Sequence, residues 1–148
     1  MKTLYTAQAL ATGEGRDGRA RSSDGKLDVL LASPAELGGD GNGTNPEQLF
    51  AAGYAACFHS AMRVAGRRQK ADLTGSTVNA KVDFGSNGQG GYGIGVRMDI
   101  RTPQLDPVQA RAIIESAHQI CPYSNATRGN ISVELTLLAA DAATEATA

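Results

Sequence analysis

Cys57 and Cys121 are the residues of this 148-residue chain whose type and surroundings point most directly to chemistry. Cys57 follows the segment Asn45-Pro46-Glu47-Gln48-Leu49-Phe50-Ala51-Ala52-Gly53-Tyr54-Ala55-Ala56. Cys121 opens the segment Cys121-Pro122-Tyr123-Ser124-Asn125-Ala126-Thr127-Arg128-Gly129-Asn130. Together they suggest thiol–disulfide chemistry, with one thiol that reacts and one that resolves. Free cysteine is also among the most buried residue types, so the pair alone fits inert packing as readily, and the neighbours must carry the argument. The two histidines do not turn either thiol into a Cys–His nucleophile or a metal site. On a helix, neighbours lie three or four residues apart, so His59 points away from Cys57. His118 lies three residues before Cys121, and one Cys with one His is too few for zinc.

The rest of the chain bounds what those thiols can belong to. The length suits one compact domain over residues 1–140, with the small, polar segment 141–148 expected to be a disordered tail. A net charge of −1 offers no field for nucleic acid, and the run Arg67-Arg68-Gln69-Lys70 reads as a solvated helix end. The first residues lack the apolar core of a signal peptide, and nothing approaches the roughly 18 apolar residues of a membrane helix. The expectation is a cytoplasmic protein with no membrane or nucleic-acid partner, in which a Cys57–Cys121 bond would be transient. Eighteen glycines and no tryptophan suggest a modest core and a partner subunit to cover it.

Local patterns place the cysteines on elements. Leu4–Thr12 suits a strand, residues 13–18 a turn, and Leu27–Leu31 a second short strand ended by Pro34. Asn45 as N-cap, Pro46 at the first helical position and Gln48 as capping-box partner open a helix running into the Arg63–Arg67 region. That helix is small and apolar nearly all round, which predicts burial on more than one face. Gly53 within it costs about 1 kcal/mol relative to alanine, suggesting the close approach of another group. Ser76–Phe84 and Ile94–Arg101 alternate as a hairpin with a long glycine-rich loop. Asp106-Pro107-Val108-Gln109 opens a second helix, which Pro122 stops at Cys121. Ile131–Leu138 closes the pattern as a strand. The order predicts an α+β fold with antiparallel sheet.

Taken in order, Gly15-Arg16-Asp17-Gly18, the segment leading to Cys57-Phe58 and the segment opening at Cys121 resemble the organic hydroperoxide resistance (Ohr) family of the OsmC/Ohr superfamily. The resemblance implies an intertwined homodimer with sheets around two central helices, and a cysteine-based peroxidase without bound metal, haem or flavin. It assigns Cys57 as the peroxidatic thiol, Cys121 as the resolving thiol, and Arg16 and Glu47 as the activating pair. It implies an organic hydroperoxide, alkyl or fatty-acid, as substrate. The external reductant would be a dihydrolipoyl group, carried by a lipoylated protein or supplied as dihydrolipoamide.

The residue types suit that chemistry. An unperturbed thiol with a pKa of about 8.5 is mostly protonated at neutral pH, so a fixed cation is needed, and a guanidinium can hold a carboxylate on one edge while facing sulfur with another. Phe50, Tyr54, Phe58 and Met62 recur every fourth residue and read as core packing, with some lining an apolar substrate channel. An OsmC-type peroxidase using another reductant, and a non-catalytic thiol redox sensor, are the competing readings.

Overall fold

The computed structural model describes residues 1–141. Beyond Asp141, the expected disordered tail lies outside the described residues. Among the described residues the chain forms two three-stranded sheets and three α-helices. It divides into two compact units, Met1–Leu49 and the remainder from Phe50, the division falling inside the first turn of the first long helix.

In the first unit, strands β1 (Ala9–Glu14), β2 (Asp17–Ser22) and β3 (Asp28–Leu30) form an antiparallel sheet. The expected turn over residues 13–18 is tighter than its composition suggests. Glu14 pairs with Asp17, leaving only Gly15 and Arg16 as the loop. Gly15 has φ of 68°, the positive value that two-residue hairpin turns require at their first central position. The strand β2, Asp-Gly-Arg-Ala-Arg-Ser, lacks an apolar alternation, so the sequence gives no strand there and its first two residues fall in the expected turn. The Asp17 carboxylate accepts the Ser33 backbone N–H at 2.8 Å and ties the hairpin to the segment after β3.

Helix α1 spans Pro46–Gln69. The Asn45 side chain accepts the Gln48 backbone N–H at 2.9 Å, as an N-cap should. The reciprocal half of the expected capping box is absent, because the Gln48 side-chain carbonyl instead accepts the Thr44 hydroxyl at 2.7 Å. Burial is also narrower than expected. Tyr54, Phe58, Ala61, Met62, Ala65 and Gly66 are buried, whereas Ala52, Ala56 and Ser60 are exposed in the single chain.

In the second unit, β4 (Thr77–Ser86) and β5 (Tyr92–Arg101) pair antiparallel over ten residues each. The hairpin is longer and its loop shorter than expected, because Asn87 accepts the backbone N–H groups of Gln89 and Gly91 at 2.9 and 3.0 Å and stabilises a compact turn. Helix α2 (Pro107–Ile120) starts at Asp106, whose carboxylate accepts from the Val108 and Gln109 N–H groups. Helix α3 (Pro122–Thr127) follows, and β6 (Val133–Leu137) then pairs parallel to β5. The all-antiparallel expectation is therefore corrected: this sheet is mixed. The α2–α3 crossover is long enough to return the chain to the same end of the sheet, which parallel pairing demands.

Tyr54, Phe58 and Met62 of α1, Val96, Met98 and Ile100 of β5, and Ile113 and Ala117 of α2 meet in one buried cluster that also contains Cys121. Apolar burial of this kind supplies roughly 1.5–3 kcal/mol for each large side chain and fixes α1 and α2 against the sheet.

Candidate active site

Arg16 and Glu47 are brought together within the first unit. The hairpin turn carries Arg16 and the first turn of α1 carries Glu47. One guanidinium nitrogen of Arg16 donates to both Glu47 carboxylate oxygens at 2.7 Å, and a second donates to Oε1 at 3.1 Å. Such a charge-assisted, forked contact fixes orientation as well as proximity. Glu47 also lies at the positive end of a helix, where a carboxylate is favoured, so the two effects reinforce each other.

The two thiols are brought together within the second unit. Cys57 lies on α1. Cys121 lies at the junction of α2 and α3, where Pro122 excludes helical geometry from the residue before it. Its φ of −66° and ψ of 122° break the helix, while its N–H still donates to Ala117 O at 2.8 Å and its carbonyl accepts from Asn125 N at 2.9 Å. The junction is thereby held at both ends. The Sγ atoms are 3.6 Å apart, and both cysteines are free thiols. A disulfide needs about 2.05 Å, so about 1.5 Å of approach would close the bond. Cys121 is wholly buried, while Cys57 is partly exposed. Burial pushes the Cys57 thiol above its ordinary value, the neighbouring Cys121 adds to the rise, and the Tyr123 backbone N–H directed at the sulfur opposes it.

Cys57 opens into a cavity of about 410 Å³ lined by Ser60, Ala61, Val64, Arg68, Ile120 and Pro122. Its lining is mainly apolar, with Ser60 and Arg68 as the polar members. Tyr54, Phe58 and Met62 have no exposed surface and pack in the core, as their spacing predicts for most of the stripe, and none of them lines this cavity. Phe50 instead lines a separate hollow of about 150 Å³ with Tyr123, Ala126 and Thr127. Residues 57, 61, 64 and 68 share a helical face, whereas the stripe at 50, 54, 58 and 62 starts on that side at Phe50 and winds away from it towards Met62.

Tyr54 has a structural task. Its buried hydroxyl is within 3.0 Å of both Ser124 Oγ and Thr127 Oγ1, linking α1 to α3 directly beyond Cys121. Gly53 admits the Tyr123 ring as its exceptional place in a helix suggested; a Cβ there would stand 3.0 Å from the Tyr123 hydroxyl oxygen.

The histidines have other neighbours. His59 Nε2 lies 2.9 Å from Ser76 Oγ, and burial with the nearby Arg63 lowers its pKa. The His118 ring tilts against Phe58 with centroids 6.4 Å apart, and burial likewise lowers its pKa, aided by Arg128 and opposed by Glu115. Among the described residues, no group of three or more His, Cys, Asp or Glu is placed to hold a metal ion, and no helix is long and apolar enough to cross a membrane.

Residues 39–136 match the OsmC-like protein family. The chain is 54% identical over 138 residues to the organic hydroperoxide resistance protein of Xanthomonas axonopodis pv. citri, covering 92% of this chain and 96% of that one. It belongs to the Ohr family. The crystal structure of an organic hydroperoxide resistance protein from Legionella pneumophila superposes with a TM-score of 0.89 at 45% identity, over 93% of this chain and all of that one. That of OhrB from Bacillus subtilis gives 0.83 at 42% identity, over 92% of this chain and all of that one. The α+β architecture of two sheets and three helices is thus the Ohr fold, and the resemblance carried by the motifs around Arg16, Glu47, Cys57 and Cys121 is borne out at the level of family.

Proposed function

We propose that this Ohr-family chain is a thiol-dependent peroxidase that reduces organic hydroperoxides to alcohols. The observation that carries the proposal is the thiol pair: a partly exposed Cys57 at an apolar cavity, 3.6 Å from a wholly buried Cys121. In the first step the Cys57 thiolate attacks the distal oxygen of ROOH. The O–O bond breaks, the alkoxide takes a proton and leaves as ROH, and Cys57 becomes a sulfenic acid. In the second step Cys121 attacks that sulfur, an S–S bond forms, and the hydroxyl leaves with a proton as water. A dihydrolipoyl dithiol then opens the disulfide through a mixed disulfide. Its second thiol completes the exchange, regenerating both cysteines and leaving the reductant as its own cyclic disulfide.

Arg16 and Glu47 are assigned to thiolate activation. Burial raises the Cys57 pKa, a nearby cation would oppose that rise, and the forked contact with Glu47 holds the Arg16 guanidinium in a fixed orientation. The active form is a cytoplasmic homodimer, with a lipoylated protein as electron donor. The first-unit sheet supports the dimer, since its large apolar side chains Leu10 and Leu30 are exposed in the single chain and a partner would cover them.

Steady-state turnover of cumene hydroperoxide with dihydrolipoamide tests the reading. Wild type consumes many equivalents. Cys57→Ser consumes none, while Cys121→Ser is oxidised once at Cys57 and forms no intramolecular disulfide, as mass spectrometry after one equivalent reads directly. Full turnover by Cys57→Ser would overturn the assignment. Stoichiometric oxidation of wild type without turnover would leave a redox sensor instead.

A further inference from the structure

The cavity at Cys57 is apolar through its middle and cationic at one end. Ala61, Val64, Ile120 and Pro122 supply apolar wall, and Arg68 is the one charged residue that lines it. Arg68 makes no hydrogen bond or ion pair among the described residues, whereas Arg97 of the same unit is held in a forked contact by Asp83. We infer that Arg68 is a specificity-determining residue, receiving the carboxylate of an amphiphilic hydroperoxide whose apolar body lies along α1 while its peroxide group reaches Cys57. The inference rests on the peroxidase reading and adds to it a second point of recognition.

The dimensions fit such a substrate. Eleven residues separate Cys57 from Arg68, which at 1.5 Å rise each is roughly 16 Å along the helix. A helical side chain leans towards the N-terminus, so the guanidinium sits somewhat closer to the sulfur than its Cα does. An extended chain advances about 1.2 Å per bond, which puts roughly ten to thirteen bonds between the peroxide and the anionic end. Hydrogen peroxide and short alkyl hydroperoxides cannot span that distance. A planar guanidinium matches a carboxylate with two parallel N–H···O contacts. Because Arg68 is exposed, solvent limits the effect of the contact to discrimination between charged and neutral forms of the same chain. Arg68 also lies in the last turn of α1, where a cation complements the helix dipole; that role is structural and indifferent to the substrate's charge.

The test compares a long-chain unsaturated fatty-acid hydroperoxide, its methyl ester and tert-butyl hydroperoxide on wild type, Arg68→Gln and Arg68→Lys. Arg68→Gln should lower kcat/KM for the acid about three- to fivefold more than for the ester or tert-butyl hydroperoxide, through KM; Arg68→Lys should keep most of the preference. Equal losses for acid and ester, or no loss for the acid, would overturn the inference. A second measurement needs no turnover: decanoate should slow iodoacetamide alkylation of Cys57 in wild type more than 1-decanol does, and the difference should vanish in Arg68→Gln. If no hydroperoxide is turned over, the peroxidase reading falls while decanoate protection still decides the role of Arg68. Equal protection by decanoate and decanol in wild type would sink the Arg68 inference alone.

Discussion

Cys57 is subject to opposing demands. Reaction with a peroxide needs its thiolate, yet burial and the adjacent Cys121 favour the thiol, and the Tyr123 N–H opposes them. The sign follows for pH. The thiolate fraction grows as pH rises through the raised pKa, so without a cation the reactive form appears only above the ordinary cysteine value of about 8.5. If the Arg16 guanidinium supplies that cation, Arg16→Ala should move the pH profile of Cys57 alkylation to higher pH and slow alkylation at pH 7 by about tenfold or more. Glu47→Ala should move it the same way by less, because it removes the forked contact and keeps the charge. Thiolate absorbance near 240 nm against pH is the direct check, and superimposable curves for wild type and Arg16→Ala would return Arg16 to the role of a turn residue. At this scale the order of Arg16, Glu47, Cys57 and Cys121 carried the family. The burial of Tyr54, Phe58 and Met62 was legible in their spacing, whereas the residues lining the cavity at Cys57 were not, because apolar periodicity marks a buried stripe and not the edge where a cavity opens.

At the scale of elements, Cys121 is placed by a helix junction, and the junction is held from α1. Tyr54 reaches from the core to Ser124 and Thr127, both buried on α3. Tyr54→Phe keeps the ring and removes the hydroxyl, leaving Ser124 Oγ without that partner in a buried site. Such a loss costs about 1–3 kcal/mol, which a urea denaturation midpoint would register. Because α3 begins directly after Cys121, the same variant should also form the Cys57–Cys121 disulfide more slowly after one equivalent of peroxide, with sulfenic acid at Cys57 persisting longer. Normal stability with normal disulfide formation would show that the junction is held by Pro122 and backbone bonds alone. The starts of α1 and α2 were legible because Asn45-Pro46 and Asp106-Pro107 write their caps in consecutive residues. Helix α3 was not, being six residues long and held chiefly by tertiary contacts that leave no periodic trace. The direction of β6 was missed for a different reason: apolar alternation gives the faces of a strand and says nothing of its polarity. The strand–helix–strand order from β5 through α2 was the available signal for parallel pairing.

At the scale of the whole molecule, two surfaces of the single chain are apolar without cover, one in each unit. In the first, Leu10 and Leu30 are 68% and 65% exposed on a sheet of only three strands. In the second, Ala52 and Ala56 are exposed small side chains on α1, whose sequence predicts burial on more than one face. Small side chains of this kind permit close approach of another element. Each is a surface that the proposed homodimer would cover, and closed twofold symmetry is the commonest arrangement of such partners. Sedimentation equilibrium at micromolar concentration should therefore return twice the chain mass of 15.3 kDa. Leu10→Asp separates the interface from the fold: the side chain is largely exposed in the single chain, so a charge there costs the monomer little, whereas in a dimer that covers it an unpaired carboxylate would be buried. The expected result is a shift towards the single-chain mass, with hydroperoxide turnover falling as the dimer dissociates. A wild-type mass of 15.3 kDa, or a Leu10→Asp variant indistinguishable from wild type in mass and turnover, would mean that the first-unit sheet is not where a second copy binds.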